Sequence, residues 1–360
     1  MLRNKIAVIS TGNGGQAMAA YFAYLGYDTA LYARQQERVD MFPSRLFHIY
    51  GILDVDVEIG CISCNMEEVI KDAYLIMVTT PAQYHPVIAR AMAPYLEDGQ
   101  MVILNPGRTF GNHAFDQVLR RFNCQAEIIL AETDSFAFTC RSESPGNVMI
   151  YSMKNQIFVG AHRQELTEMV ADRLQNYLPN VQAAPSPYYC DFQNMGMVFH
   201  PLPFLLNFAK IERREPFLFY MDGITPHGAR MMEKLDTERR FVAAALGIQV
   251  MSAGRWLREA YGATGCSLYE KIQNNKIYRP IYAPMELSSR YIFEDISTGC
   301  VPISCVAEIL DIKTPVINGV IDWASMVYGR DFRKFGRGSN MVDYYELVEE
   351  MREEFFGRSI

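Results

Sequence analysis

Several things are scarce in this 360-residue chain, and each scarcity removes a class of protein. No apolar run approaches the ~18 residues that a membrane-spanning helix needs. The 34 basic residues do not outnumber the 41 acidic ones; the net charge of −7 leaves no basic excess to hold a nucleic acid. The eight cysteines are scattered, and only Cys61 and Cys64 have CxxC spacing. Neither a second pair nor a histidine pair completes a zinc site, so no metal is expected, and the thiols read as reduced ones in a cytoplasmic protein. No internal repeat or low-complexity tract occurs. No leader-like stretch opens the chain, which turns after Ile9 straight into a glycine-rich loop. What remains is ordinary globular composition, 49% hydrophobic and 21% charged, in a chain long enough for two cores.

The stretch Ile6 to Arg34 organises the first of them. A short apolar run, Ile6 to Ile9, gives way to Ser10-Thr11-Gly12-Asn13-Gly14-Gly15. Three turns of Ala-rich and aromatic helix follow, closed by Gly26, and then a second apolar segment from Thr29 to Ala33. Strand, tight loop, helix and strand in that order open a dinucleotide-binding unit. Glycines at 12, 14 and 15 bring backbone close to a pyrophosphate, which the first N–H groups of the helix would face. An NAD site usually has Asp or Glu at the end of the second strand, accepting from the ribose hydroxyl. Here Ala33 stands there, followed by Arg34, a pairing that suits the 2′-phosphate of NADP better than NAD. The plain alternative is that Arg34 is a solvated surface residue.

Strand and helix patterns then alternate. Arg34 to Arg45 is helical in pattern, Val55 to Ile59 strand-like, and Ala73 to Val78 a buried strand ending in Thr79-Thr80-Pro81. A helix over Tyr84 to Met92 follows, then a strand over Met101 to Leu104 ending in Asn105-Pro106-Gly107. A helix over Phe115 to Phe122 and a strand over Glu127 to Ala131 come next. This predicts a parallel sheet covered on both faces, extended by a strand pair at Val148 to Ser152 and Gln156 to Gly160. Thr80, Pro81 and Asn105 join Ser10, Thr11, Gly12, Asn13, Gly14, Gly15 and Arg34 as the expected cofactor residues. Beyond Pro179 to Pro187 capped helices dominate. Thr225-Pro226 opens one with Met232, Leu235, Val242 and Leu246 inward. Thr314-Pro315 opens another with Val316, Val320, Trp323 and Val327 near one face. The expected architecture is an α/β Rossmann-type domain over residues 1–184 and an all-α domain over 185–360.

His200 is the best proton-transfer candidate among the six histidines. Pro201 is expected to hold its backbone extended and so fix where the imidazole projects. Asp295 would orient that ring, and Arg290 would grip a carboxylate. The plain alternatives are a satisfied core histidine and an ordinary surface ion pair.

The segments Gly12-Asn13-Gly14-Gly15, Asn105-Pro106-Gly107, Phe138 to Glu143, His200-Pro201-Leu202-Pro203 and Arg290 through Pro302 resemble the octopine/nopaline (opine) dehydrogenases. Gly223-Ile224-Thr225-Pro226 and Asp331-Phe332-Arg333-Lys334 are similar too, and the likeness runs in order over nearly the whole chain. It is nearest to the bacterial branch that joins apolar amino acids to pyruvate. The resemblance implies an NAD(P)H-dependent enzyme acting in a cleft between its domains, one that condenses an amino acid with an α-keto acid and reduces the imine. It implies His200 and Asp295 as catalytic residues, with Arg290, Asn194 and Thr133 on the substrate, and a homodimer. Ser10 departs from the family loop, where glycine is usual. Arg108 adds a charge where small residues are common, and is expected to face water more than an anion. A simple 2-keto acid reductase and a non-catalytic NADP sensor are the competing functions.

Overall fold

The computed structural model describes residues 4–357. The chain divides into two units: residues up to Gly107 with Gly111–Ala184, and Arg108–Phe110 with the residues from Pro185 onward.

The first unit is built on an eight-stranded sheet. Its order is Val181–Ala183, Ile157–Ala161, Ile129–Thr133, Met101–Leu104, Leu75–Val78, Lys5–Ile9, Asp28–Tyr32 and Cys61–Ser63. The last six run parallel, and Ile157–Ala161 joins them antiparallel. Strand order therefore reverses between Lys5–Ile9 and Leu75–Val78, the switch point at whose carboxyl ends such sheets bind ligands. Alternate residues of Lys5–Ile9 go to opposite faces, so the central strand is apolar throughout. Ile6 and Val8 enter one core with Met18 and Phe22 of the helix Asn13–Tyr24, while Ala7 and Ile9 enter another with Ile88 and Phe115.

A four-stranded sheet, in the order Val55–Glu58, Leu46–Gly51, Asn147–Met153 and Phe138–Ser144, adds Phe47, Ile49, Val148 and Ile150 to the first core. This corrects the expected strand pair. Asn147–Met153 lies in the smaller sheet and Ile157–Ala161 in the larger, with no pairing between them. Adjacent strand patterns do not reveal partners when each strand has a better hydrophobic face to complete elsewhere. The helical pattern from Arg34 to Arg45 likewise yields only Gln36–Asp40, with no buried residue to hold a longer helix.

The second unit is helical; the isolated bridge Leu218↔Tyr282 supplies its strand-like pairing among the described residues. Thr225 caps Pro226–Ala245 by accepting from Gly228 N–H at 3.1 Å, and Met232, Leu235, Val242 and Leu246 are wholly buried. Helix Pro315–Tyr328 ends at Gly329 as expected, but its buried face is Ile317, Val320, Ile321 and Ala324. Val316, Trp323 and Val327 are only half-buried, so the inward stripe is rotated from the one the sequence suggests. The larger, amphipathic Trp sits at the stripe's edge, where its polar N–H need not be desolvated.

Candidate active site

The loop after Lys5–Ile9 is held by its own residues. Ser10 has φ 150°, a conformation that strains any residue with a Cβ, and its Oγ accepts from Gly12 N–H at 3.0 Å. A Cβ on Gly15 would overlap the Ser10 carbonyl oxygen, and one on Gly14 would stand 2.9 Å from the Phe136 ring. These two glycines therefore serve helix–strand and loop packing, which leaves the first-turn N–H groups of Asn13–Tyr24 at the sheet's carboxyl edge. Asn13 Oδ1 accepts from Ser142 N–H at 3.1 Å. The Thr11 carbonyl accepts from Gln16 Nε2 at 2.9 Å.

At the ends of the neighbouring strands, Thr80 Oγ1 and both amide atoms of Asn105 are buried without protein partners. Buried polar atoms without partners are costly, and they fit a site that a polar ligand completes. Arg34 is exposed beyond Ala33, and no carboxylate occupies either position. Thr133, expected on the substrate, is buried, and its hydroxyl donates toward the Leu104 carbonyl at 3.5 Å. Thr133 is the last residue of the strand Ile129–Thr133.

The second unit gathers the other candidates. Helix Gly196–Phe199 runs through His200 into Pro201–Leu206, with His200 N–H donating to Gly196 O and Phe204 N–H donating to His200 O. His200 has φ −109° and ψ −56°, so the extended backbone expected from Pro201 is corrected. Proline at the first position of the following helix needs no N–H, and the two helices meet with His200 at the joint. His200 Nδ1 lies 2.7 Å from Asp295 Oδ2, and Nε2 lies 3.2 Å from the Tyr220 hydroxyl. The ring stacks on Tyr291, centroids 4.1 Å apart and 8° from parallel. An imidazole held by a carboxylate on one side, a hydroxyl on the other and a ring on its face has little freedom to turn.

Asp295 is wholly buried, and its Oδ1 lies 3.6 Å from Arg108 Nη2. Arg108 also reaches Glu294 Oε1 at 3.3 Å and donates to Asn194 Oδ1 at 3.3 Å. The expectation that Arg108 faces water is therefore corrected. Two carboxylates and an amide oxygen offer enough acceptors to bury it. Asn194 is wholly buried, its Nδ2 donating to Thr109 Oγ1 and Thr298 O while Oδ1 accepts from Gly196 N–H and Arg108. These bonds tie Asn194 into the protein frame beside Arg108. Arg290 pairs with Glu294 Oε2 at 3.3 Å and lies over the Tyr291 ring, yet its side chain is half exposed. It alone of the two arginines keeps donors toward solvent.

The electrostatics follow from this packing. Burial lowers the His200 pKa below its ordinary value and outweighs Asp295, with Arg290 and Arg108 adding to the depression. Burial pushes the Asp295 carboxyl up, but Arg108, His200 and Arg290 together hold it below the usual range. Burial also keeps the Tyr220 hydroxyl protonated, well above 10. The resting state is thus a neutral imidazole beside an ionised carboxylate. Tyr220, Tyr291 and Glu294 escaped the sequence reading, although Tyr220 lies three residues before a recognisable segment at Gly223 and the other two flank named residues.

Residues 183–328 match the family described as NAD/NADP octopine/nopaline dehydrogenase, alpha-helical domain, and residues 5–121 match the NAD binding domain of 6-phosphogluconate dehydrogenase. An opine dehydrogenase from Arthrobacter sp. (strain 1C) is 36% identical over 337 residues, covering 92% of each chain. The chain belongs to the opine dehydrogenase family. It is an NAD(P)-dependent oxidoreductase of the class that condenses an amino acid with an α-keto acid reductively. Octopine dehydrogenase in complex with NADH and agmatine shares the fold at a TM-score of 0.77 and 19% identity, over 99% of this chain and 98% of that one. NADP+-bound yersinopine dehydrogenase does so at 0.72 and 12%, over 99% and 100%. Among its described residues this opine dehydrogenase family member has no helix long and apolar enough to cross a membrane.

Proposed function

We propose that His200, oriented by Asp295, moves the protons of the condensation, that Arg290 binds a substrate carboxylate, and that NADPH is the preferred reductant. The observation that carries the reading is the 2.7 Å contact between His200 Nδ1 and a wholly buried carboxylate. It fixes the Nδ1–H tautomer and leaves Nε2 as the basic atom.

Neutral His200 takes a proton from the substrate ammonium, which frees the amine to attack the keto-acid carbonyl. The imidazolium so formed stays beside ionised Asp295 and returns the proton to the carbinolamine hydroxyl, which leaves as water. Burial keeps His200 neutral until substrate brings the proton. Bound NAD(P)H supplies the hydride that reduces the resulting imine carbon. The remaining guanidinium donors of Arg290 form a fork for a carboxylate, and its packing on Tyr291 fixes the direction of that fork. Backbone N–H groups of the Ser10–Gly15 loop, Thr80 and Asn105 would hold the cofactor, and Arg34 would meet its 2′-phosphate.

The test is His200→Ala, with cofactor affinity measured separately by fluorescence titration. Turnover should be lost and affinity kept; surviving turnover defeats the assignment. A matrix of keto acids against amino acids, followed with NADPH and NADH in parallel, identifies the substrates. Equal rates with both cofactors would overturn the Arg34 reading. The same reading makes the enzyme a cytoplasmic homodimer. The scattered cysteines, read as reduced thiols, support the first part, and the exposed Phe241 and Met326 on the mutually packed helices Pro226–Ala245 and Pro315–Tyr328 support the second, which light scattering in solution tests.

A further inference from the structure

Arg108 reaches the His200 cluster by a short excursion of chain. Residues Arg108–Phe110 belong to the helical unit although they follow the strand Met101–Leu104. Arg108 and Phe110 both have positive φ, 67° and 58°, which non-glycine residues adopt only when their surroundings enforce it. Those surroundings are explicit. Thr109 N–H donates to Thr298 O at 3.1 Å, Phe110 N–H to Asp191 Oδ1 at 2.8 Å, and the buried Arg337 donates to Thr109 O. Gly196 completes the seat: a Cβ there would overlap Asp295 Oδ1 and stand 2.5 Å from Arg108 Nη1. No side chain but hydrogen fits beside this guanidinium.

Resting on the assignment of His200 above, we propose that Arg108 is a positioning residue that holds Asp295 against His200 and shares Glu294 with Arg290. Two of its nitrogens divide the work. Nη2 faces Asp295 Oδ1, the oxygen His200 does not use, at 3.6 Å, so the carboxylate lies between an ion pair on one oxygen and the His200 contact on the other. Nε takes Glu294 Oε1, which leaves Oε2 alone for Arg290. Arg290 is thereby tied at one nitrogen and keeps its fork open. Charge also closes: two guanidinium groups offset two carboxylates, so His200 rests neutral. Without Arg108, two carboxylates would face Arg290 and His200 alone. The imidazole would then hold a proton more tightly, and Arg290 would be drawn onto Glu294.

The charged and titratable groups around His200 are Asp295, Tyr220, Tyr291, Arg290 and Arg108, with Glu294 behind the arginines. Burial keeps the Tyr220 hydroxyl protonated in the relevant range, so the arginine–carboxylate balance sets the proton affinity of the ring.

The experiment is a histidine-labelled NMR titration of wild type, Arg108→Gln and Arg108→Lys, with the His200 signal identified by its loss in His200→Gln. The same proteins supply pH–rate profiles for opine oxidation. In Arg108→Gln the His200 midpoint should rise by about one pH unit. The acid limb of the rate profile should follow it, and the KM for the keto acid should rise. Arg108→Lys, which keeps the charge, should recover most of the midpoint shift but not the KM. An unchanged midpoint in Arg108→Gln, or equal shifts in both variants, overturns the proposal. If Arg108→Gln does not fold, Glu294→Gln serves instead: it leaves arginine charge uncompensated and should lower the midpoint, and an unchanged or raised midpoint overturns the proposal. A midpoint that moves while the rate profile stays fixed supports the role of Arg108 and defeats the catalytic reading of His200.

Discussion

Asp295→Asn tests the site through one atom. The substitution is isosteric, so its effect depends on which way the amide turns. Arg108 Nη2 lies 3.6 Å from Oδ1, and its positive charge directs the amide oxygen, not the NH2 group, to that side. The amide nitrogen then occupies the Oδ2 position, 2.7 Å from His200 Nδ1, and donates where the carboxylate accepted. The imidazole must release its Nδ1 proton and become the Nε2–H tautomer, which donates to the Tyr220 hydroxyl. Nε2 can no longer take a proton from substrate, and loss of general acid–base transfer costs about 10²–10⁴-fold in kcat. Arg108 also loses a buried countercharge, with a stability cost on the order of 3 kcal/mol. The assays are kcat in both directions, nitrogen chemical shifts of His200 and a urea titration. An Nδ1 that stays protonated, or a kcat within a factor of about ten of wild type, would refute the reasoning.

Four further outcomes are expected. Arg34→Ser should weaken NADPH by about 10-fold or more, the worth of a charge-assisted hydrogen bond, and leave the KM for NADH unchanged. Asn105→Leu removes two buried amide atoms that lack protein partners, so denaturation should show equal or greater stability while cofactor affinity falls. Gly15→Ala forces the helix away from the Ser10 carbonyl, and calorimetry should show a loss of about 1–3 kcal/mol together with weaker cofactor binding. The folded-state pKa of His200 lies below its ordinary 6.5, so the native state binds that proton less readily than the unfolded chain. Its contribution to stability is therefore full above pH 6.5 and is lost as acid passes the folded pKa; urea midpoints for His200→Gln should lose that part of the acid limb.

Local signals made much of the fold readable. The Ile6–Arg34 segment, the buried strands at 75–78 and 101–104, and the cap at Thr225 each depend on residues close in sequence. Strand partnership was less so: Asn147–Met153 and Ile157–Ala161 are neighbours in sequence but complete different hydrophobic faces. In the site, His200, Arg290 and Asp295 were nameable because each is a residue type whose chemistry is distinctive. The burial of Asn194 and Thr133 was not legible, because a polar residue near a site has the same sequence signature whether it is exposed or packed into the frame. The burial of Arg108 was hidden for a further reason. Its acceptors stand at 194, 294 and 295, and no local pattern announces a contact over that separation.

The local backbone explains how two consecutive carboxylates reach one guanidinium. In a regular α-helix successive side chains point about 100° apart, so Glu294 and Asp295 would diverge. Here Asp295 N–H donates to Arg290 O and Cys300 N–H to Asp295 O, five residues back in each case, and Ile296–Cys300 forms a widened π turn. Such turns hold one residue more than an α turn and recur at functional sites. The widening brings both acidic side chains toward Arg108 while Arg290 stays one turn away on the same side. Gly299 lets the turn lie against the helix bearing His200, since a Cβ there would stand 2.7 Å from Met197 Cβ. A bulky residue at 299 should therefore separate Asp295 from His200 without touching either. Gly299→Val ought to resemble Asp295→Asn in turnover while keeping cofactor affinity, and a variant with wild-type kcat would show that the close packing of these two helices does not set the His200–Asp295 distance.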